Sequence, residues 1–250
     1  ERSGQTDLAD DWAERCFDRF HASIACTGIY VQGLQERQGP EAEALTYAAL
    51  QRLGRGIGGN VPRLRQVEYH LRRELGQSVA VMFLQSVAAD RPRNTQIQTM
   101  TAWACYRNGE PDLAIEYMTK VLDVRPNSPD ALNFIGYTWA ERGVNLDQAE
   151  QMIMSALDVR PNDGNIQDSL GWVFYMRGDF QSAIEWLELA NQNSPGDSVL
   201  LEHLGDAYAA AGRTEEAAAV YRRAIEAAGD GGVDHLRDKL EGLDVPSETT

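Results

Sequence analysis

The sequence predicts an all-α chain of stacked helical hairpins, an α-solenoid, on three observations. Prolines fall at 92, 126, 161 and 195, with spacings of 34, 35 and 34 residues. Small residues keep step with them: Gly109, Gly143, Gly178 and Gly212; Ala80, Ala114, Ala149, Ala183 and Ala217; and Ala102, Gly136, Gly171 and Gly205. No alternation of period two, the mark of a half-buried strand, survives in the second half of the chain. Several registers advancing together at a period of roughly 20–50 residues are the signature of a repeat array.

Each element follows from the residues in turn. In the unit that starts at Gly164, a first helix runs to Arg177, Gly178-Asp179 turns the chain, and a second helix runs from about Phe180 to Asn193. Gly171 and Ala183 let the two helices approach closely, while Phe174, Leu187 and Ala190 fill the seam. Pro195 stops the second helix, because proline has no amide hydrogen to donate and clashes with the preceding turn. The same reading gives five units over 61–228, starting near 61, 95, 129, 164 and 198. The unit at 129 carries one extra residue in its turn (RGVNLDQA), and the unit at 61 has Glu68 where the others have a small residue. Residues 1–60 are expected to form degenerate helical hairpins that continue the array. Over 229–244, Val233, Leu236, Leu240 and Leu243 share one face, which suits a capping helix over the last apolar end. Residues 245–250 are expected to be a disordered tail.

Composition narrows the function. Of the net charge of −15, residues 1–94 contribute nothing, with 12 Lys+Arg against 12 Asp+Glu; residues 95–250 carry all of it, 11 against 26. Such a surface repels phosphate, so no nucleic acid is expected as a partner. No run approaches the ~20 apolar residues of a membrane span, so no direct membrane insertion by this segment is expected. The chain opens ERSGQTD rather than with Met, and its native start is expected to lie upstream. Cys16, Cys26 and Cys105 are too few for a disulfide framework or a zinc ribbon. Cys16 and Cys26 can pair only across a turn, since one continuous helix would hold them ~15 Å apart.

Catalytic chemistry fails on inspection. GRGIGG, Gly54 to Gly59, follows a helical segment and lacks the Lys-Ser/Thr of a phosphate loop, so it reads as a hinge. His21, His70, His203 and His235 are isolated, and His203 reads as a partly buried structural residue. Asp158 through Asp168 lacks the alternating ligands of a calcium loop. Ser169 and Ser182 have no base at a plausible position. No catalytic residue, metal ligand or cofactor is assigned, and the protein is expected not to be an enzyme.

The spacing and residue types resemble the tetratricopeptide repeat (TPR), with its pattern W-x2-L-G-x2-Y, then A-x3-F, then P. Leu170-Gly171, Phe174, Ala183, Leu187 and Pro195 carry the match in one unit; Leu204-Gly205, Tyr208, Ala217 and Tyr221 carry it in the next. The resemblance implies a right-handed superhelix whose concave wall, lined by first-helix side chains, binds a protein or peptide. On that wall the ninth position of successive units is Tyr69, Trp103, Tyr137, Trp172 and Asp206. The twelfth gives Arg72, Tyr106, Ala140, Tyr175 and Ala209, and the fifth gives Arg65, Thr99, Asn133, Asp168 and Glu202. Exposed rings with Asn and Asp nearby suit an extended peptide, the rings for contact area and the amides for its backbone. The expected peptide-binding set is therefore Arg65, Tyr69, Arg72, Trp103, Tyr106, Asn133, Tyr137, Asp168, Trp172 and Tyr175. The competing reading is that the rings pack against the next first helix or a returning N-terminal segment. The wall also runs from Arg65 and Arg72 to Glu202 and Asp206, a gradient suited to orient a bound chain. The lysines of a chaperone-type carboxylate clamp are missing, so a chaperone's acidic C-terminus is not the expected ligand.

The stretch LNFIGYTWAERGVNLDQAEQMIMSALDVRPNDGNIQDSLGWVFYMRGDFQSAIEWLELA is also similar to the repeat region of proteobacterial envelope TPR lipoproteins. That resemblance implies an adaptor in the bacterial periplasm or envelope that brings substrates to a partner such as a protease. A cytoplasmic setting is the alternative. So is a regulatory or sensory TPR module cut from a larger protein with an enzymatic or membrane domain. Self-association through an end face is also compatible with the sequence.

Overall fold

The computed structural model describes residues 12–19, 23–37, 39–229 and 231–243; the segment expected to be a disordered tail lies outside them. Among the described residues there are helices and no strand. The helices are α1 (12–19), α2 (Ile24–Arg37), α3 (Pro40–Ile57), α4 (Val61–Leu75), α5 (Gln77–Ala89), α6 (Thr95–Arg107) and α7 (Pro111–Val124). They continue with α8 (Pro129–Glu141), α9 (Leu146–Val159), α10 (Gly164–Met176), α11 (Phe180–Asn193), α12 (Ser198–Ala210), α13 (Thr214–Ala228) and α14 (Asp234–Glu241). The fold class is all-α, a solenoid of helical hairpins. Two compact units divide the chain, Glu1–Arg125 and Pro126–Thr250.

In the first unit, α2–α3, α4–α5 and α6–α7 pair as hairpins, and α3 and α6 also pack on α5. α5 is apolar almost all round and supplies the buried centre, with Phe83, Leu84 and Val87 each at most 1% exposed. Cys16 of α1 and Cys26 of α2 form a disulfide. Phe17 stacks on Tyr30 with ring centroids 4.7 Å apart, and Arg52 of α3 lies 4.5 Å over the Phe17 ring. The GRGIGG segment is a helix end rather than a hinge. Gly54 sits inside α3, where a Cβ would meet Val87 of α5 at 2.5 Å, and Gly58 ends the helix at φ 72°.

In the second unit, α8–α9, α10–α11 and α12–α13 form three hairpins, and α14 packs on α13. Capping follows the residues. Asp163, Asp179 and Asp197 each turn a carboxylate back onto a first-turn amide of the helix that follows, satisfying donors that have no partner inside the helix. Ahead of the prolines, Arg160 and Ser194 leave the helical region at φ −131° and −134°, as the residue before proline must. Three turns repeat one pattern: Val144, Asp179 and Arg213 donate their amides to the carbonyls of Trp139, Phe174 and Tyr208. A left-handed residue closes each turn, which only glycine adopts without strain; Gly178 lies at φ 79°. The extra residue of the 129 unit is absorbed at Asn145, which takes a left-handed conformation of its own at φ 49°.

The helices meet at the small residues. A Cβ on Gly171 would stand 2.6 Å from Leu187 Cγ and 3.2 Å from the Ala183 carbonyl; one on Gly136 would stand 2.6 Å from Ile153 and 2.9 Å from the Ala149 carbonyl. Ala149, Ala183 and Ala217 are completely buried. Val233 and Leu236 close the far end of the core against α13, with Leu240 and Leu243 partly covered. Gly171→Ala is therefore expected to destabilise the protein by about 1–3 kcal/mol through overpacking, outweighing the ~1 kcal/mol that alanine gains in helix propensity. A urea titration reads this as a lower midpoint; an unchanged or higher midpoint would contradict the packing.

Candidate functional site

The residues expected on the wall come from the first helices of the hairpins, and their surroundings differ between the two units. In the first unit, Arg65, Tyr69 and Arg72 project from α4, while Trp103 and Tyr106 project from α6. The helix cores close without them. Leu64, Val67 and Leu71 bury the opposite side of α4, and Ile97, Ala102 and Cys105 that of α6. Tyr69 is 55% exposed and Trp103 46%. Arg72 places its guanidinium 5.4 Å from the Tyr69 ring centroid, and Tyr106 meets Trp103 edge-on at 6.1 Å. Cys105 stands where other units have an aromatic; burial pushes its thiol up to about 11, so it is an inert packing group.

Glu68 is the residue that the sequence marked as out of pattern. Its side chain is only 13% exposed, and one carboxylate oxygen faces both Arg72 at 3.3 Å and Arg107 of α6 at 3.8 Å. A carboxylate thus stands where the other units bring helices together on a small side chain, and it ties two arginines to the exposed side of α4 and α6.

In the second unit the corresponding polar groups are largely taken up between neighbouring first helices. Asp168, expected to grip a ligand's backbone, is 4% exposed, and both its oxygens lie 2.9–3.0 Å from Nδ1 of His203 on α12. Trp172 stacks on that imidazole at 4.3 Å and on Tyr175 at 4.5 Å. This ring packs on the next first helix, the competing reading of the sequence; Tyr69 and Trp103 are more exposed. Tyr137 is half-buried, and burial together with Glu141, Asp168 and Glu202 pushes its phenol well above the usual range. Asn133 and Trp172 are half-buried too, and Asn133 Oδ1 and Trp172 Nε1 are buried without a hydrogen-bond partner.

The acidic end of the expected gradient is neutralised locally. Lys239 of α14 donates to Glu202 at 2.7 Å and to Asp206 at 2.7 and 2.8 Å, and His235 lies 3.1 Å from Glu202. Tyr221 also donates to Asp206 at 2.6 Å. Burial opposes the charge on Glu202, yet Lys239 and His235 hold its carboxyl below the ordinary value. Sequence reasoning read His203 as a partly buried structural residue but missed its pairing with Asp168, and it missed Lys239 and the role of Glu68. The available signals were that Lys239 is one of only two lysines in the chain, and that Arg72 follows Glu68 by one helical turn.

Tetratricopeptide repeat family models match residues 80–131, 99–151, 142–198 and 174–240, together more than half of the chain. The chain belongs to the tetratricopeptide repeat family. TPR proteins of known structure share the fold. A thermophilic TPR protein of Thermus thermophilus, TTC0263, superposes with a TM-score of 0.61 at 18% identity, covering 72% of this chain and 96% of that one. MamA residues 41-end from Desulfovibrio magneticus RS-1 gives 0.55 at 19% identity, with coverage of 68% and 96%. A further MamA crystal structure gives 0.52 at 20%, covering 74% and 97%. No curated protein matches the sequence. The TPR repeats support a scaffold for protein–protein interaction. Among the described residues no group of His, Cys, Asp and Glu could hold a metal, and no helix is long and apolar enough to cross a membrane.

The Asp168–His203 pair yields a pH prediction. Burial works against the imidazolium, but the hydrogen bond and charge of Asp168 outweigh it and leave the His203 pKa raised; burial also raises that of Asp168. Both shifts mean that the folded chain holds protons the unfolded chain has released. The stabilisation from His203 is present below its unfolded pKa of ~6.5 and is lost as pH rises through the folded value. An NMR titration of the His203 ring is expected to give a midpoint above that reference, and Asp168→Asn to lower it. A midpoint below the reference in the unmodified protein would contradict the pairing.

Proposed function

We propose that this TPR protein is a non-enzymatic adaptor that holds an extended protein segment against its first-helix faces and presents it to a second partner. The observation that carries this reading is the pair Tyr69 and Trp103. Both are large rings, about half exposed, on helices whose cores are complete without them. Exposed aromatics cost solvation unless something covers them, and Tyr and Trp are the residues that most often anchor protein interfaces. By its resemblance to envelope TPR lipoproteins, the adaptor would work in the bacterial envelope with a processing enzyme such as a protease as second partner.

Trp103→Ala tests the reading. Truncating an interface anchor costs about 2 kcal/mol or more, so at least a tenfold loss of affinity is expected. Partner capture from the source organism's lysate is compared between the variant and the unmodified chain, with circular dichroism confirming that both are folded. Loss of a specific protein from the variant's catch supports the groove. An unchanged catch by a folded variant contradicts it.

A further inference from the structure

α1 makes one small apolar contact and one covalent one. Of its eight residues, Ala13 and Phe17 are buried, Cys16 is half-buried and the other five are exposed. Phe17 lies between the Tyr30 ring of α2 and the Arg52 guanidinium of α3. The charged side chains of α1 are exposed, Asp18 with its 3.2 Å ion pair to Arg52 among them, and exposed pairs contribute little. Eight residues fall well short of the roughly 12–15 that hold a helix in water on their own. Burying one ring and one methyl group does not offset the entropy lost in ordering them. What remains to hold α1 down is the disulfide from Cys16 to Cys26 of α2.

The helices beneath have a core of their own. α2 packs on α3 and α3 on α5, and Val31, Leu34, Leu50, Leu53, Phe83 and Leu84 are each at most 1% exposed. The third cysteine takes no part. Cys105 is completely buried in α6 and its thiol is pushed up to about 11, so it offers no thiolate to exchange with the pair. Of the two bonded sulfurs, the one on Cys16 belongs to the more exposed residue, since Cys26 is only 8% exposed.

We propose that the Cys16–Cys26 disulfide is a reducible latch: oxidised, it straps α1 across α2 and α3; reduced, it releases α1 and leaves the rest of the first unit folded. Release parts Phe17 from Tyr30 and uncovers the side of α2 that carries that ring. The reductant is a dithiol, small or protein-borne. Its thiolate attacks Sγ of Cys16, the S–S bond breaks, and Cys26 leaves as a thiolate that takes up a proton. The second thiol of the reductant then attacks the mixed disulfide, freeing Cys16 and leaving the reductant as a disulfide. Two electrons pass from the dithiol to the protein, and a disulfide of the same class reverses the exchange. Disulfides persist in oxidising compartments and are reduced in the cytosol, so the position of α1 follows the thiol–disulfide poise around the chain.

Amide hydrogen exchange on the full chain, before and after treatment with dithiothreitol, tests the latch, with alkylation and mass measurement counting the free thiols in each state. In the untreated chain the pair is expected to resist alkylation and α1 to be protected. Reduction is expected to speed exchange in α1 at least about tenfold, with α3 and α5 unchanged, and oxidised glutathione to restore the first pattern. The Cys16→Ser/Cys26→Ser variant is expected to show the reduced pattern and to ignore dithiothreitol. Equal protection of α1 in both states would overturn the latch, because packing alone then holds the helix. Loss of protection throughout α2, α3 and α5 on reduction would overturn it too, making the bond a staple of the whole unit; the unmodified chain reads this even if the double variant fails to fold. Free thiols at Cys16 and Cys26 in a chain kept in oxidised glutathione would remove its basis.

Discussion

Each hairpin of the second unit depends on one close contact, where a small residue of the first helix meets the second helix. At Gly136 and Gly171 there is no room for a Cβ between the helices, and the residues opposite are fully buried alanines and the branched side chains one turn on. That contact fixes the distance between helices and therefore which side chains are inside. It also explains the punctuation of the sequence, since a hairpin this tight needs the same left-handed turn each time and a firm stop before the next begins.

Once the contact closes the core, the outward side of the first helix is released from packing and carries whatever else the chain needs. The two units use that freedom differently. In the second, Asp168 and His203 link α10 to α12, and Glu202, Asp206 and Lys239 link α12 to α14. Asp168 and His203 are buried, and removing one member of such a pair is expected to cost several kcal/mol, because the other is left without compensation. In the first unit the arginines are exposed, and pairs such as Arg73 with Glu74 contribute ~1 kcal/mol or less.

The fold was legible in the sequence because its constraint is local and periodic. The counterparts of Gly171, Ala183 and Pro195 do the same work in most units, so their spacing betrays the hairpin and even the single inserted residue that Asn145 absorbs. The wall was legible only in part. Helical period tells which residues of α10 face away from the core, but not that His203 stands opposite Asp168, because partners on the next first helix lie 35 residues away. For the same reason Trp172 and Trp103 look equivalent in sequence, yet one stacks on a histidine and the other stands half in solvent. GRGIGG misleads because glycine serves flexibility and close approach alike; Gly54 is there for Val87.

The central claim is that the first-helix faces are the working surface of this TPR protein. Amide hydrogen exchange on the full chain, alone and with a captured partner, tests it most directly. The account predicts that bound partner slows exchange on α4 and α6 around Tyr69 and Trp103, with α3, α5 and α7 unchanged. Protection confined to α3, α5 and α7, with α4 and α6 untouched, would contradict it.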